Sequence, residues 1–226
     1  MNLGFILEKV STGEPQTYLD WFMGGFGFTV GVSVTSFILA MLIGVSLAVI
    51  RSLPGGKAAT FFVSVFRGIP LLNQMFIVYF AIIPLVLSAD VAPLTSILIC
   101  SVSVLSIYMG CRVSEHVYGA ITALPTDQRE AGKSLGFSTV DTYRLILIPQ
   151  ALKNVFPALT SEFMSTVKNS TVAGSIGLIE LFAVSKKVTE FAPVVYEPLI
   201  IAGTVYLIIN FVLEKLMKKI EKKIFA

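Results

Sequence analysis

Residues 21–50 read WFMGGFGFTVGVSVTSFILAMLIGVSLAVI, a run without a single charged side chain. A helix needs about 20 predominantly apolar residues to cross the hydrocarbon core of a bilayer. Inside lipid, every backbone polar group must be satisfied within the protein, and a helix does this within one segment. This run therefore predicts a transmembrane helix.

Four further apolar stretches follow, each near that length. They are residues 58–89, interrupted by Arg67; residues 91–111; about 149–167, which contains Lys153 and Glu162; and about 196–216, with Glu197 and Glu214 near its ends. The sequence thus predicts an all-α integral membrane protein with five transmembrane helices. The membrane domain would span residues 21–217, preceded by an N-terminal segment over 1–20 and followed by a tail over 218–226.

The composition supports the membrane assignment. The 226 residues are 55% hydrophobic and 14% charged, with a mean hydropathy of +0.83. A soluble domain carries about 25% charged residues. The apolar runs leave no room for a second, soluble domain, and a net charge of only +3 gives no reason to expect a nucleic-acid partner.

Cysteine and histidine usage argues against metal, disulfide and catalytic sites. Cys100 and Cys111 share one apolar segment and, if it is helical, lie roughly 16 Å apart along its axis. That distance is too long for a disulfide, so we expect both to pack in the interior. His116 is the one histidine and has no cluster of ligands around it. We therefore expect no metal and no enzymatic activity in this chain.

The distribution of basic residues predicts the orientation. Five spans place thirteen of the 17 Lys and Arg residues on one side. These are Arg51, Lys57, Arg67, Arg112, Arg129, Lys133, Arg144, Lys153, Lys215, Lys218, Lys219, Lys222 and Lys223. Basic residues favour the cytoplasmic side. We therefore expect the N-terminus outside and the C-terminus in the cytoplasm. Residues 1–20 lack the basic start and short apolar core of a cleaved signal peptide.

The largest predicted cytoplasmic loop reads LPTDQREAGKSLGF over residues 124–137. Thr126 and Asp127 after Pro125 are residue types that begin helices, and Gly136 suits the left-handed end of one. A second short helix over 138–146 would precede Pro149, which would open the fourth span. Such a compact loop is suited to docking against another protein.

This loop resembles the EAA loop of ABC importer permeases. Glu130-Ala131-Gly132, Gly136 and Ile148-Pro149 carry the likeness, with Gly132 where the family usually has Ala. The resemblance implies a type I ABC importer (MetI-like) permease fold. It also implies that the loop, about residues 120–147, couples to a cytoplasmic ATPase. The coupling residues it implies are Glu130, Ala131, Gly132, Ser134, Leu135 and Gly136.

Three further stretches are similar to the polar amino acid permease subfamily: FRGIPLLNQ at 66–74, LTSEFMSTVKNST at 159–171 and IGLIEL at 176–181. Within the subfamily the chain most resembles glutamate/aspartate permeases. The residues are TYLDW at 17–21, RVSE at 112–115, and TSE at 160–162 followed by VKNS at 167–170.

The likeness covers about residues 20–216 and implies a set of partners in a bacterial cytoplasmic (inner) membrane. These are a second permease subunit, with a paralogue favoured over a copy, two ATPase subunits that use ATP and Mg, and an extracytoplasmic amino-acid-binding protein. The chain itself has no phosphate-binding loop, so no cofactor is expected in it.

Ionisable groups inside spans are costly and mark candidate functional positions. Arg112 and Glu115, three residues apart, share a helix face and either neutralise each other or present Arg112 to a substrate carboxylate. Glu162 either accepts a substrate ammonium or pairs with an arginine. Arg67 precedes Pro70, which should kink the helix, and Arg67 either lines the pathway or reaches the interface.

Asn73, Gln74 and Ser161 either bind substrate or join helices. We thus predict substrate contacts by Arg112, Glu115, Ser161, Glu162, Arg67 and Asn73. The alternative function is an autonomous transporter or channel driven by an ion gradient, which inverted repeats would favour. None is visible in the sequence.

Overall fold

The computed structural model describes residues 4–10, 16–88 and 90–225, and these are helical apart from turns and an isolated bridge between Lys9 and Thr17. A short 3-10 turn at Gly4–Leu7 comes first. The main helices are α1, Tyr18–Ser52; α2, Lys57–Gly68; α3, Leu71–Val86; α4, Pro93–Ala123; α5, Asp127–Ser134; α6, Thr139–Ile176; α7, Leu181–Phe191; and α8, Glu197–Phe225.

Five spans fit the described helices if each bent pair counts as one. Helices α1, α4 and α8 are each long and apolar enough to cross a membrane alone. Helices α2 and α3 form a fourth candidate bent by 100°, and α6 with α7 a fifth bent by 49°. The prediction of five spans agrees with this upper count. Helix α7 is an addition, since it lies where the sequence predicted only a loop.

The break between α2 and α3 has a clear physical cause. Pro70 lacks a backbone donor, and Ile69 before it adopts an extended conformation. The side chain of Gln74 donates its amide to the carbonyls of Phe66, at 2.6 Å, and Ile69, at 2.9 Å. The predicted kink at Pro70 is therefore confirmed, and Gln74 stabilises the break by satisfying carbonyls that the helix leaves free.

The prediction of a separate short helix over 138–146, before a span that opens at Pro149, is wrong. The chain runs as one helix from Thr139 to Ile176, with a π-helical segment at Thr142–Leu147. Proline in an ordinary helix clashes with the carbonyl four residues earlier. The wider π turn directly before Pro149 removes that conflict, and a π segment likewise precedes Pro84 in α3.

Small residues bring α1 and α4 into close contact. A Cβ atom built on Gly44 would lie 2.7 Å from the carbonyl oxygen of Gly110, and one built on Gly110 would lie 2.9 Å from Ile43. Close approach through small residues is the usual way helices pack in membranes. This crossing fixes α4, which carries Arg112, Glu115 and His116.

Helix α8 packs mainly on α6 and α7 and leaves most of its apolar surface exposed, including Leu207 and Phe211. It continues to Phe225, so the described residues of the predicted tail over 218–226 belong to this helix. This exposed apolar surface suits contact with the hydrocarbon chains of lipid.

Candidate functional site

The centre of the candidate site is an ion pair between α4 and α6. Arg112 donates from Nε to one carboxylate oxygen of Glu162 at 2.7 Å and from Nη2 to the other at 2.9 Å. This two-pronged geometry matches the planar guanidinium to the carboxylate and makes a strong pair. The prediction that Glu162 pairs with an arginine is confirmed for this arrangement.

His116 completes this cluster. Its Nε2 lies 3.0 Å from Oε1 of Glu162, the oxygen that also accepts from Nη2 of Arg112. The side chains of Arg112 and His116 are 40% and 39% exposed, whereas that of Glu162 is 7% exposed. The two donor side chains, those of Arg112 and His116, thus lie over the buried carboxylate of Glu162 and remain partly exposed on this face of the chain.

Glu115 belongs to a second network, and the alternative in which it neutralises Arg112 is wrong. Its Oε1 forms ion pairs with Nη2 of Arg51 in α1, at 3.0 Å, and with Nη1 of Arg67 in α2, at 3.1 Å. Spacing along one helix permits an i,i+3 pair. Arginines of two neighbouring helices pair with the Glu115 carboxylate instead, and Arg112 pairs with Glu162.

Arg51 anchors that second network. Its side chain is 5% exposed, donates to the hydroxyl of Ser114 at 3.1 Å and lies 4.4 Å from the ring centroid of Tyr118. Sequence reasoning placed Arg51 at the edge of the membrane and gave it no other role. Its position at the end of the uncharged run was the available signal.

Together the two networks carry excess positive charge. Three guanidinium groups, on Arg51, Arg67 and Arg112, face the carboxylates of Glu115 and Glu162. One positive charge is left over. No group of three or more potential metal ligands occurs among the residues that the structure describes.

The other two predicted substrate residues lie outside these contacts. The hydroxyl of Ser161 donates to the carbonyl of Pro157 in its own helix at 3.2 Å, and Ser161 is exposed. Asn73 is exposed on α3. Of the six predicted substrate residues, four thus fall into the two charged networks.

The predicted coupling loop forms the short helix α5 and a turn. The amide of Phe137 donates to the carbonyl of Gly132, and the amide of Gly136 to that of Lys133. Gly136 has a φ of +79°, so this end is the left-handed glycine cap that the sequence predicts. Thr126 begins the helix without a side-chain cap; the capping hydroxyl of the loop is that of Ser138, before α6.

Gly132 attaches this loop to α6. A Cβ atom at Gly132 would lie 2.9 Å from the hydroxyl of Thr142 and 3.3 Å from Ile146. The other five predicted coupling residues are exposed: Glu130, Ala131, Ser134, Leu135 and Gly136. One side of the loop is therefore fixed to α6, and the opposite side is free.

Sequence reasoning also missed a buried carboxylate, Glu180, at the start of α7. It accepts from the amides of Phe182 and Ala183 and from the hydroxyl of Tyr206 in α8, the last at 2.7 Å. The amide of Leu181 donates to Thr29 of α1. These bonds tie α7 to α1 and α8 and suit a structural role.

Comparison with known proteins identifies the architecture. Residues 40–226 match the family described as binding-protein-dependent transport system inner membrane component. The chain belongs to this family. Its members are non-catalytic membrane subunits of transporters, so the predicted permease class and inner-membrane location are confirmed, and the autonomous ion-driven alternative is set aside.

Several named permeases are similar along most of the chain. It is 30% identical to the glutamate/aspartate import permease protein GltJ of Escherichia coli (strain K12), over 99% of this chain and 94% of that protein. It is 31% identical to the arginine transport system permease protein ArtQ of Bacillus subtilis (strain 168), over 99% and 98%. The putative glutamine permease GlnP of Rickettsia conorii is 30% identical, over 88% and 90%.

Solved structures support the predicted importer fold. A crystal structure of an amino acid ABC transporter with histidines matches with a TM-score of 0.76 and 27% identity, over 91% of this chain and 95% of that one. A chain of the inward-facing MetNI methionine ABC transporter matches with a TM-score of 0.72 over 92% and 96%, at 16% identity. The second likeness supports the fold alone.

Proposed function

We propose that this permease forms one half of the translocation pathway of an ABC importer for acidic amino acids, glutamate and aspartate. The cluster of Arg112, Glu162 and His116 carries the proposal. Sequence identity does not choose the substrate, because the relatives named for arginine and for glutamate/aspartate are about equally similar. The chemistry of the charged groups in the spans is the better guide.

An amino acid in this pathway presents an α-carboxylate and an α-ammonium group. Arg112 supplies the planar donor pair that suits the carboxylate, and Glu162 supplies an acceptor for the ammonium. The networks around them hold three guanidinium groups against two carboxylates. A substrate with a net negative charge cancels the surplus, which favours acidic amino acids over neutral or basic ones.

A second permease subunit completes the pathway in this proposal. The donors of Arg112 and His116 are partly exposed on the surface of a single chain, whereas a transport site must be enclosed. Five spans are few to surround a pathway alone. We propose a paralogous partner, as the resemblance implies, together with an extracytoplasmic binding protein. Affinity purification of the tagged permease followed by mass spectrometry tests whether the partner is a paralogue or a second copy.

In this proposal the transporter has two cytoplasmic ATPase subunits, and the loop at α5 docks on one of them. Leu135 and Val140 are apolar and highly exposed, at 71% and 72%. Apolar side chains displayed together with exposed polar ones suit a protein partner. Glu130 and Ser134 are exposed polar residues of the same loop.

The substrate role is tested with Arg112→Gln, Glu162→Gln and the double variant in the reconstituted transporter. Once the proposed partner subunit encloses the site, removing one member of this charge pair costs on the order of 2–5 kcal/mol. That corresponds to a loss of roughly 30-fold to several thousand-fold in affinity. We expect each single variant to lose glutamate uptake and the double variant to stay inactive, because the substrate needs both groups.

A purely structural pair makes the opposite prediction, since removing both charges relieves the uncompensated one. Recovery of uptake in the double variant would therefore refute the substrate role. The exposed i,i+4 pair of Glu214 and Lys218 in α8 is the matched control. Neutralising it should change uptake little, because exposed pairs contribute roughly 0–1 kcal/mol.

The coupling role is tested with Gly136→Val, with Gly55→Val as the control. Both glycines have positive φ, +79° and +91°, with open space around the missing Cβ. A left-handed conformation costs a residue with a Cβ atom roughly 1–2 kcal/mol at either position. We expect Gly136→Val to lower ATPase association and ATP-driven uptake well below the level of Gly55→Val. Equal effects would mean that the loop at α5 has no special part in coupling.

A further inference from the structure

The contacts around Glu162 contain one more donor than a neutral amino acid requires. Glu162 accepts from Arg112 at both oxygens and from His116 at one. A substrate ammonium that binds Glu162 brings three donors of its own. It therefore displaces the side chains of α4 and leaves two of them, Arg112 and His116, in need of acceptors.

We propose that His116 is the specificity-determining residue of this permease and receives the second carboxylate of an acidic amino acid. This inference rests on the proposed function and assigns a residue to its substrate preference. In the substrate-free protein both donors, Arg112 and His116, bind Glu162. In the substrate-bound protein the ammonium binds Glu162, one carboxylate binds Arg112, and the other carboxylate binds His116.

The spacing of the two donors fits this arrangement. Arg112 and His116 are four residues apart on α4, so they are neighbours on one face of the helix, with about 5–6 Å between their Cβ atoms. Both hydrogen-bond the same carboxylate, and both are partly exposed above it. Aspartate and glutamate carry two carboxylates separated by a short chain and can span such a pair while their ammonium reaches Glu162.

The charge balance favours the same substrates. The groups that face His116 are Glu162 across the helix interface and Arg112 one turn earlier, while the neighbouring Glu115 is occupied by Arg51 and Arg67. The two networks together hold three guanidinium groups against two carboxylates, which leaves one surplus positive charge. An acidic amino acid cancels it, whereas glutamine, of nearly the same shape, does not.

The test measures glutamate and glutamine side by side in the purified permease–ATPase complex in lipid nanodiscs, without the binding protein, whose own selectivity would mask the effect. Equilibrium binding of each radiolabelled amino acid gives a preference ratio. The variants are His116→Ala and the closer replacement His116→Gln, which keeps a neutral donor. Thr122→Val on the same helix is the control, since that exposed hydroxyl bonds only its own helix backbone.

We expect the wild type to prefer glutamate, and both His116 variants to lose about tenfold or more of that preference while glutamine binding stays within about twofold. A merely structural histidine would not produce this selective effect on glutamate.

Two results overturn the inference, and they differ from a failure of the proposed function. If the variants weaken glutamate and glutamine equally, or leave the preference ratio unchanged, His116 does not recognise the second carboxylate. If the wild type shows no preference for glutamate over glutamine, the acidic-substrate proposal fails, and the role of His116 fails with it.

Discussion

Replacing Gly44 by Ala should destabilise this permease much more than the same change at Gly31, on the same helix. A Cβ atom at Gly44 would lie 2.5 Å from Cγ1 of Val113 and 2.7 Å from the carbonyl oxygen of Gly110. The carbonyl belongs to the backbone of α4, so no rotamer change can relieve the contact. A Cβ atom at Gly31 would meet nothing within 4 Å.

The magnitude follows from the need to move α1 and α4 apart. Overpacking a well-packed interface costs typically 1–3 kcal/mol. For a chain of this size each kcal/mol lowers the melting temperature by about 2–4 °C. Gly31→Ala should be neutral or slightly stabilising, since Ala favours helices over Gly by roughly 1 kcal/mol.

Thermal unfolding of the two variants in the same detergent provides the measurement. We expect Gly44→Ala to melt several degrees below both Gly31→Ala and the wild type. Its uptake should also fall, because separating α1 from α4 pulls Arg51 away from Glu115. Equal melting temperatures for the two variants would show that Gly44 does not set the distance between these helices, and the packing argument would be refuted.

Three further predictions concern other parts of the fold. Gln74→Leu should lower the melting temperature and increase proteolysis near the α2–α3 break, because the carbonyl of Phe66 loses its partner at a cost of roughly 1–3 kcal/mol; unchanged stability would deny Gln74 this role. Tyr206→Phe should destabilise the protein by a similar amount, since Glu180 loses a donor; a melting temperature within error of the wild type would contradict this. A cysteine introduced at Lys187, in a variant lacking the two native cysteines, should react with an impermeant reagent from outside intact cells; labelling only after permeabilisation would overturn the predicted topology.

The spans were predictable because lipid imposes a simple requirement on sequence. The charge-free run at 21–50 could satisfy its backbone only as a helix, and α1 contains it. The cap at Gly136 was predictable for a similar reason, since a positive φ suits few residues besides glycine. In both places the local sequence determines the outcome.

The pairing of charges was less predictable because it depends on which helices become neighbours. Local spacing made Glu115 a candidate partner of Arg112. Glu162, fifty positions away, instead accepts two hydrogen bonds from that arginine. His116 was considered only as a metal ligand, although its position four residues after Arg112 placed it on the same face. The continuous helix through Pro149 was missed because a π segment leaves no clear signature in composition.

The arrangement of α4 explains how a loop outside the spans can influence the charged cluster within them. Glu115 joins α4 to α1 and α2, while Arg112 and His116 join it to Glu162 of α6. Helix α6 begins beside the coupling loop, where Thr142 packs on Gly132, and continues without a break to Glu162. At about 1.5 Å per residue the two positions are roughly 30 Å apart along one helix. A displacement of α5 on an ATPase would therefore shift α6 against α4, and the shift falls on the two-pronged bond between Arg112 and Glu162. That bond depends steeply on geometry, so a small movement would change how firmly Glu162 holds Arg112 and His116. If the proposed transport site is correct, the same movement would change how readily the substrate replaces them.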